Sequence, residues 1–291
     1  MTDKIPTFEE LKISPSMLKS VAECPLKFWQ SYITKTLPYV ESAQKARGTK
    51  LHKFMEDSID SGVFKYDPDD KSCASARKFF EFVNAKKQKG WKVKTEVCCG
   101  VDMDSVPVEY AKANLRCKID CLMVAPNGHV LILDWKTGKK YSVDTLQLQV
   151  NAMCIYRKLR PDHMVAAFCY LDSDDLTRVD VPVGDVPSIN ECLRMKPEHI
   201  PESSYIDTIM AMRTLYRTMK TQKPEPKKNR FCDWCNVPDC PMHQICHLYP
   251  SDAADELLCV ALGGRRIIKK KNTVPLKTQD IRKHRRNWSQ V

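Results

Sequence analysis

Two apolar runs carry charges where they should simply continue: Asp120 interrupts "KIDCLMV", and Asp134 and Lys136 close "VLILDWK". In a strand side chains alternate faces, so Ile132, Asp134 and Lys136 share one side while Leu131, Leu133 and Trp135 share the other. The two runs read as a hairpin. With Pro126, Asn127 and Gly128 as a three-residue loop and Gly128 left-handed, Ala125 pairs with His129 and Asp120 falls opposite Asp134. A two-residue Asn-Gly turn would instead set Asp120 opposite Trp135, on the wrong face. Paired carboxylates bind a hard divalent cation such as Mg²⁺ or Mn²⁺, which polarises a phosphate and acidifies a bound water. An ammonium beside them can orient that water or offset developing negative charge. The plainer reading of a bare Asp-x-Lys is a surface ion pair at a strand end, but three charges on one face are costly to bury unless something uses them.

A second group of residues has the spacing of a metal site. In "RFCDWCNVPDCPMHQICH", Cys232, Cys235 and Cys240 follow a C-x2-C-x4-C pattern. Alone it suggests tetrahedral zinc, with His243, Cys246 or His247 as the fourth ligand. The 14 cysteines are otherwise scattered through 291 residues, and the start, "MTDKIPTFEE", has no charged-then-apolar leader. The expectation is an intracellular chain in a reducing compartment, with most cysteines as core thiols.

The elements that must position these residues follow from pattern. Ser14 as N-cap and Pro15 at the first helical position open a helix expected to run to Ile33. Further helices are expected over "AQKARGTKLHKFMEDSI", from Ala74 to Lys89, from Asp144 to Leu159 and from Tyr205 to Thr221. The pattern is β from Lys92 to Lys136, and strands are expected at Met164–Leu171 and Thr177–Val181. "KTQKPEPKKNR" has the composition of a linker. No run is long and apolar enough to span a membrane. From Gly263 onward, ten Lys or Arg stand against Asp280 alone, so the tail holds nine of the eleven net positive charges. Arg265, Arg266, Lys269, Lys270 and Lys271 are its densest part. Such a tail is either a solvated end or an arm for a polyanion such as DNA.

"KID" followed by "LILDWKTGKK" resembles the signature of the PD-(D/E)XK nuclease superfamily, and the Asp-aromatic-Lys-Thr form resembles its RecB-like branch of AddB-type, CRISPR-associated and phage exonucleases. "GTKLHKFMED" is similar to that branch's Gly-x-x-x-His helix. By residue pattern alone, His52 beside Leu51, Met55 and Ile59 is a half-buried core histidine. "QLQVNAM" resembles the Gln-x-x-x-Tyr helix, with Gln147 matching and Asn151 in place of the Tyr. "AECPLKFW" before the core and the three cysteines after it resemble the iron-sulfur members.

The resemblance implies an α/β fold: a central mixed sheet flanked by helices, with a helical N-terminal segment and a Cys-rich C-terminal segment. It also implies a nuclease domain over residues 1–249 and a basic tail over 250–291. Asp120, Asp134 and His52 would hold Mg²⁺ or Mn²⁺, Lys136 would assist the attacking water, and Gln147 would help position metal, lysine or DNA. Cys24, Cys232, Cys235 and Cys240 would hold a 4Fe-4S cluster, with Cys246 as the substitute for the last. The implied activity is exonucleolytic hydrolysis of DNA single strands or ends in recombination, repair or phage DNA processing. A structure-specific endonuclease would share every one of these residues. A zinc-stabilised protein that only binds nucleic acid would share the cysteines and tail, but has no need of Asp120, Asp134 and Lys136 on one face.

Overall fold

The computed structural model describes residues 4–38, 41–65, 72–138, 145–173, 176–181, 186–195, 205–232 and 235–242. The chain divides into Met1–Leu248 and Tyr249–Val291, and every described residue belongs to the first. His243, Cys246, His247 and the basic tail, with Arg265, Arg266, Lys269, Lys270 and Lys271, lie outside the described residues.

Five strands form one sheet in the order β1 (Lys92–Val101), β2 (Leu115–Val124), β3 (Val130–Lys136), β4 (Met164–Tyr170) and β5 (Leu176–Val181). Neighbours are antiparallel except β3 and β4, which are parallel. A parallel pair needs a crossover, and α5 (Leu146–Leu159) supplies it. This mixed sheet flanked by helices is the α/β core that the resemblance implies. On one face, α3 (Ala43–Ser61) and α4 (Ser72–Gln88) pack Leu51, Met55, Phe80 and Val83 onto Cys121, Met123, Leu133 and Trp135. On the other, α1 (Pro15–Glu23), α5 and α7 (Ile206–Thr221) pack Leu18, Val150, Met212 and Leu215 onto Ile119, Leu122, Ile132 and Ala166.

The hairpin of β2 and β3 takes the three-residue loop. Cys121 pairs with Leu133 and Val124 with Val130. The Ala125 N–H donates to His129 O at 2.8 Å, and Gly128 has φ +85°. This register sets position 120 across from position 134.

Two expectations change. The helix expected from Ser14 to Ile33 is broken: α1 ends at Glu23, Cys24 is extended at φ −160°, and α2 (Pro25–Phe28) leads into a π-helical turn at Trp29–Ile33. Pro25 is the cause, because its ring pushes the preceding residue out of the α region. The stretch with linker composition is instead a strap laid on α1. Lys227 Nζ donates to Ala22 O at 2.8 Å and Asn229 Nδ2 to Glu23 O at 2.9 Å. These carbonyls lie at the end of α1, where the helix cannot bond its own last acceptors.

Gly128→Ala adds a methyl that meets nothing within 4 Å, so it isolates backbone strain at φ +85°. A left-handed alanine costs about 1–2 kcal/mol. The thermal midpoint should fall by several degrees with the unfolding still a single transition. An unchanged midpoint would show that the loop is not held in this conformation.

Candidate active site

The site begins with an irregularity shared by two strands. In β1, Val93 packs on the α3–α4 side, but Val97, Cys99 and Val101, also odd-numbered, pack on the α5 side. In β2, Cys117 and Ile119 face α5 while Cys121 and Met123 face α3 and α4. The alternation therefore reverses across Glu96 in β1 and Asp120 in β2. Pairing stays in step on both sides, Thr95 with Cys121 and Val97 with Ile119, so Glu96 and Asp120 stand opposite each other. Glu96 accommodates the reversal at φ +50°, a backbone region a glutamate rarely occupies. Strain of this kind collects at functional sites.

The reversal sends the Asp120 carboxylate two ways. Its Oδ2 accepts the Trp135 N–H at 2.7 Å, where β3 runs beyond its pairing with β2. Its Oδ1 lies 3.3 Å from His52 Nδ1 on α3. Gly48, one turn before His52, lets that helix approach: a Cβ there would sit 3.3 Å from Thr137 Oγ1, just past Lys136. Arg47 fixes the same point through a bidentate pair to Asp172 at 2.9 and 2.7 Å, and Asp172 also accepts the Gly138 N–H. The Arg47 bond, against a smaller effect of burial, holds the Asp172 carboxyl below its ordinary value.

Asp134 and Lys136 lie on the α5 side of β3, as alternation requires. Asp134 is 1% exposed. Gln147 on α5 bridges the two, its Nε2 donating to Asp134 Oδ1 while its Oε1 accepts from Lys136 Nζ at 2.7 Å. Lys136 Nζ also forms an ion pair with Asp134 Oδ2 at 2.6 Å. Burial raises the Asp134 carboxyl above its ordinary value; the Lys136 charge opposes this and the Asp120 charge adds to it. For His52, burial disfavours the charged ring, yet the hydrogen bond and charge of Asp120 outweigh it and lift its pKa.

His52, Glu96 and Asp120 bring one ligand atom each within 4.8 Å of one another. The ligand set expected from sequence was His52, Asp120 and Asp134. Among the described residues His52, Asp120 and Glu96 form one close group, and Asp134, tied to Lys136, adjoins it. Two carboxylates and one imidazole, with a third carboxylate buried beside them, fit a hard divalent cation. Glu96 has no signal in sequence except that it sits in a β run directly across from Asp120. Lys118, next along β2, forms an ion pair with it. Gln147 reaches the site. Asn151 is fully buried, and its amide has no partner among the described residues.

A model of the PD-(D/E)XK nuclease superfamily matches residues 12–247. The chain belongs to this superfamily. Its members are metal-dependent nucleases. No curated protein matches the chain. Among solved structures the superfamily member described here is similar to SSO0001, at 13% identity and a TM-score of 0.35, over 79% of this chain and 87% of that one.

Glu96→Gln keeps the shape and removes the charge. Mn²⁺ affinity measured by calorimetry should fall at least about tenfold, a size that even changes one shell out from a metal reach. Protons compete for the same donors. Because Asp120 holds a proton on His52 above the ordinary ~6.5, wild-type affinity should rise with pH through and beyond that value. Equal affinities for wild type and Glu96→Gln would remove Glu96 from the metal centre.

Proposed function

We propose that the chain is a divalent-metal-dependent deoxyribonuclease, an exonuclease acting on single strands or DNA ends, with a structural 4Fe-4S cluster. The observation that carries the nuclease reading is the Asp134–Lys136–Gln147 bridge set beside His52, Glu96 and Asp120. Asp120, Asp134, His52 and Glu96 would hold Mg²⁺ or Mn²⁺, which supplies charge for the scissile phosphate and a more acidic water. Lys136 is restrained by Asp134 and Gln147 and lies 4.8 Å from the Phe168 ring centroid. It is therefore restrained where it can hold the attacking water and offset negative charge on phosphorus. Water oxygen bonds to phosphorus as the bond to the leaving sugar oxygen breaks. Gln147 keeps the ammonium from collapsing fully onto Asp134. The basic tail would add phosphate contacts that do not depend on sequence.

The cluster reading rests on Cys24. It lines one small cavity together with Cys232, Cys235 and Cys240, although some two hundred residues separate it from them. The break at Pro25 is what takes Cys24 out of the helix toward that cavity. The Asn229 N–H lies 3.3 Å from Cys232 Sγ, the kind of donor that stabilises a thiolate ligand. A zinc ion satisfied by the local segment has no use for Cys24. Four convergent cysteines suit an iron-sulfur centre, whose binding energy would become folding energy.

Asp134→Ala and Lys136→Ala should each abolish cleavage of DNA in Mn²⁺ while leaving most DNA affinity, which draws on distributed phosphate contacts. Wild-type rates in either pure variant would end the site assignment. Protein purified without air should be brown, with broad absorption near ~400 nm, and Cys24→Ala should lose both iron and colour and melt at a lower temperature. A colourless protein with about one zinc per chain, unaffected by Cys24→Ala, would replace the iron-sulfur reading with zinc.

A further inference from the structure

A groove of about 930 Å³ adjoins the site of His52, Glu96 and Asp120 and is basic and aromatic. Its sixteen lining residues include Lys19, Arg116, Lys118, Lys136 and Arg230, and no carboxylate. Phe168 and Tyr170 are buried against it near Lys136, whereas Tyr110 and Phe231 are 37% and 39% exposed. Each exposed ring has a guanidinium over it, Arg116 at 5.0 Å from the Tyr110 centroid and Arg230 at 4.8 Å from that of Phe231. Lys118 and Thr137 line both this groove and the one containing His52, Glu96 and Asp120. The two grooves therefore meet at Lys118 and Thr137, the second carrying Glu56, Glu96 and Asp120 together with Lys45, Lys53 and Lys118.

We infer that the basic, aromatic groove is a binding track for single-stranded DNA, in which Tyr110 and Phe231 stack on bases while Arg116 and Arg230 hold the adjoining phosphates. The inference rests on the nuclease reading for its direction, since the track ends at Lys136. Cations, of which Lys118 also pairs with Glu96 and Lys136 with Asp134, match a polyphosphate backbone, and exposed rings paired with guanidiniums match unpaired bases. In a duplex the base faces are already covered by their neighbours, so the rings offer a duplex little. Phe231 is placed by the strap on α1: its N–H donates to Asn229 Oδ1 at 2.8 Å, and Asn229 is bonded to Glu23 O. Tyr110 stands on the segment between β1 and β2, where it depends on neither the strap nor the cysteines. The two rings are therefore independent probes.

Binding is read by fluorescence anisotropy on the full-length protein, with a labelled oligothymidylate or a blunt duplex, and with EDTA present to prevent cleavage. Tyr110→Ala and Phe231→Ala should each weaken oligothymidylate binding about tenfold and leave duplex affinity and thermal midpoint unchanged. Tyr110→Trp and Phe231→Trp should keep wild-type affinity. Unchanged oligothymidylate affinity in both alanine variants would overturn the track. Equal losses on both probes would also do so, leaving a groove that reads phosphate alone. Tighter binding of oligouridylate than of oligothymidylate would overturn the assignment to DNA. A parallel cleavage assay with Mn²⁺ separates this proposal from the one beneath it. Wild type that cuts DNA while both alanine variants bind normally loses the track and keeps the nuclease. Wild type that stacks through both rings and never cuts keeps the track and loses the nuclease.

Discussion

The Asp120 carboxylate occupies a position normally filled by a backbone carbonyl. It accepts the Trp135 N–H at 2.7 Å where β2 and β3 no longer pair. A hydrogen bond to a charged acceptor at a largely buried site contributes about 1.5–3 kcal/mol. That bond lets the two strands separate without stranding a donor, and the separation makes room for chemistry. It also fixes one oxygen of Asp120, so the other can point only toward His52 and the space beside Glu96. The reversed alternation in β1 and β2, the left-handed Glu96 and the close approach of α3 at Gly48 all serve the same small volume.

Around that volume the two signs of charge meet. His52, Glu96 and Asp120 share one groove with Lys45, Lys53 and Lys118, while the neighbouring groove is lined by cations and aromatic rings. Lys136 lines the latter, held by a carboxylate and an amide that both come from buried elements. Such an arrangement is unfavourable for folding alone, since Asp134 is buried and burial disfavours its charged form. A protein selected only for stability would replace it with apolar residues at little cost. The groups make sense if a cation and a phosphate complete the set, and membership of a superfamily of metal-dependent nucleases agrees with that.

Much of this was legible in the sequence because it depends on local rules. Proline and glycine in the Pro126–Gly128 loop fixed a register, and the register with strand alternation placed Asp134 and Lys136 on one face across from Asp120. The helix with Gly48 and His52 was recognisable from its resemblance to the family's Gly-x-x-x-His helix, whereas residue pattern alone read His52 as a core side chain. What was not legible arises from pairs of strands or from a single proline. Nothing in "TEVCCG" announces that Glu96 takes a left-handed backbone, because the reversal is forced jointly by β1 and β2 and neither run shows it alone. Pro25 was present to be read, but the apolar pattern continued past it and concealed the break that turns Cys24 out of the helix. The strap looked like a linker because its composition is polar, whereas its bonds go to the carbonyls at the end of α1.

A metal centre formed where the reversal at Glu96 and Asp120 meets Asp134 and Lys136 would hold a cation in the crystal. The direct measurement is an anomalous-difference map from crystals soaked in Mn²⁺, collected at the manganese edge. The expected map has a peak with Asp120 and Asp134 oxygens at about 2.0–2.2 Å, His52 and Glu96 completing its shell and Lys136 outside it. A map with no peak there, or with manganese bound only away from Asp120, would contradict it.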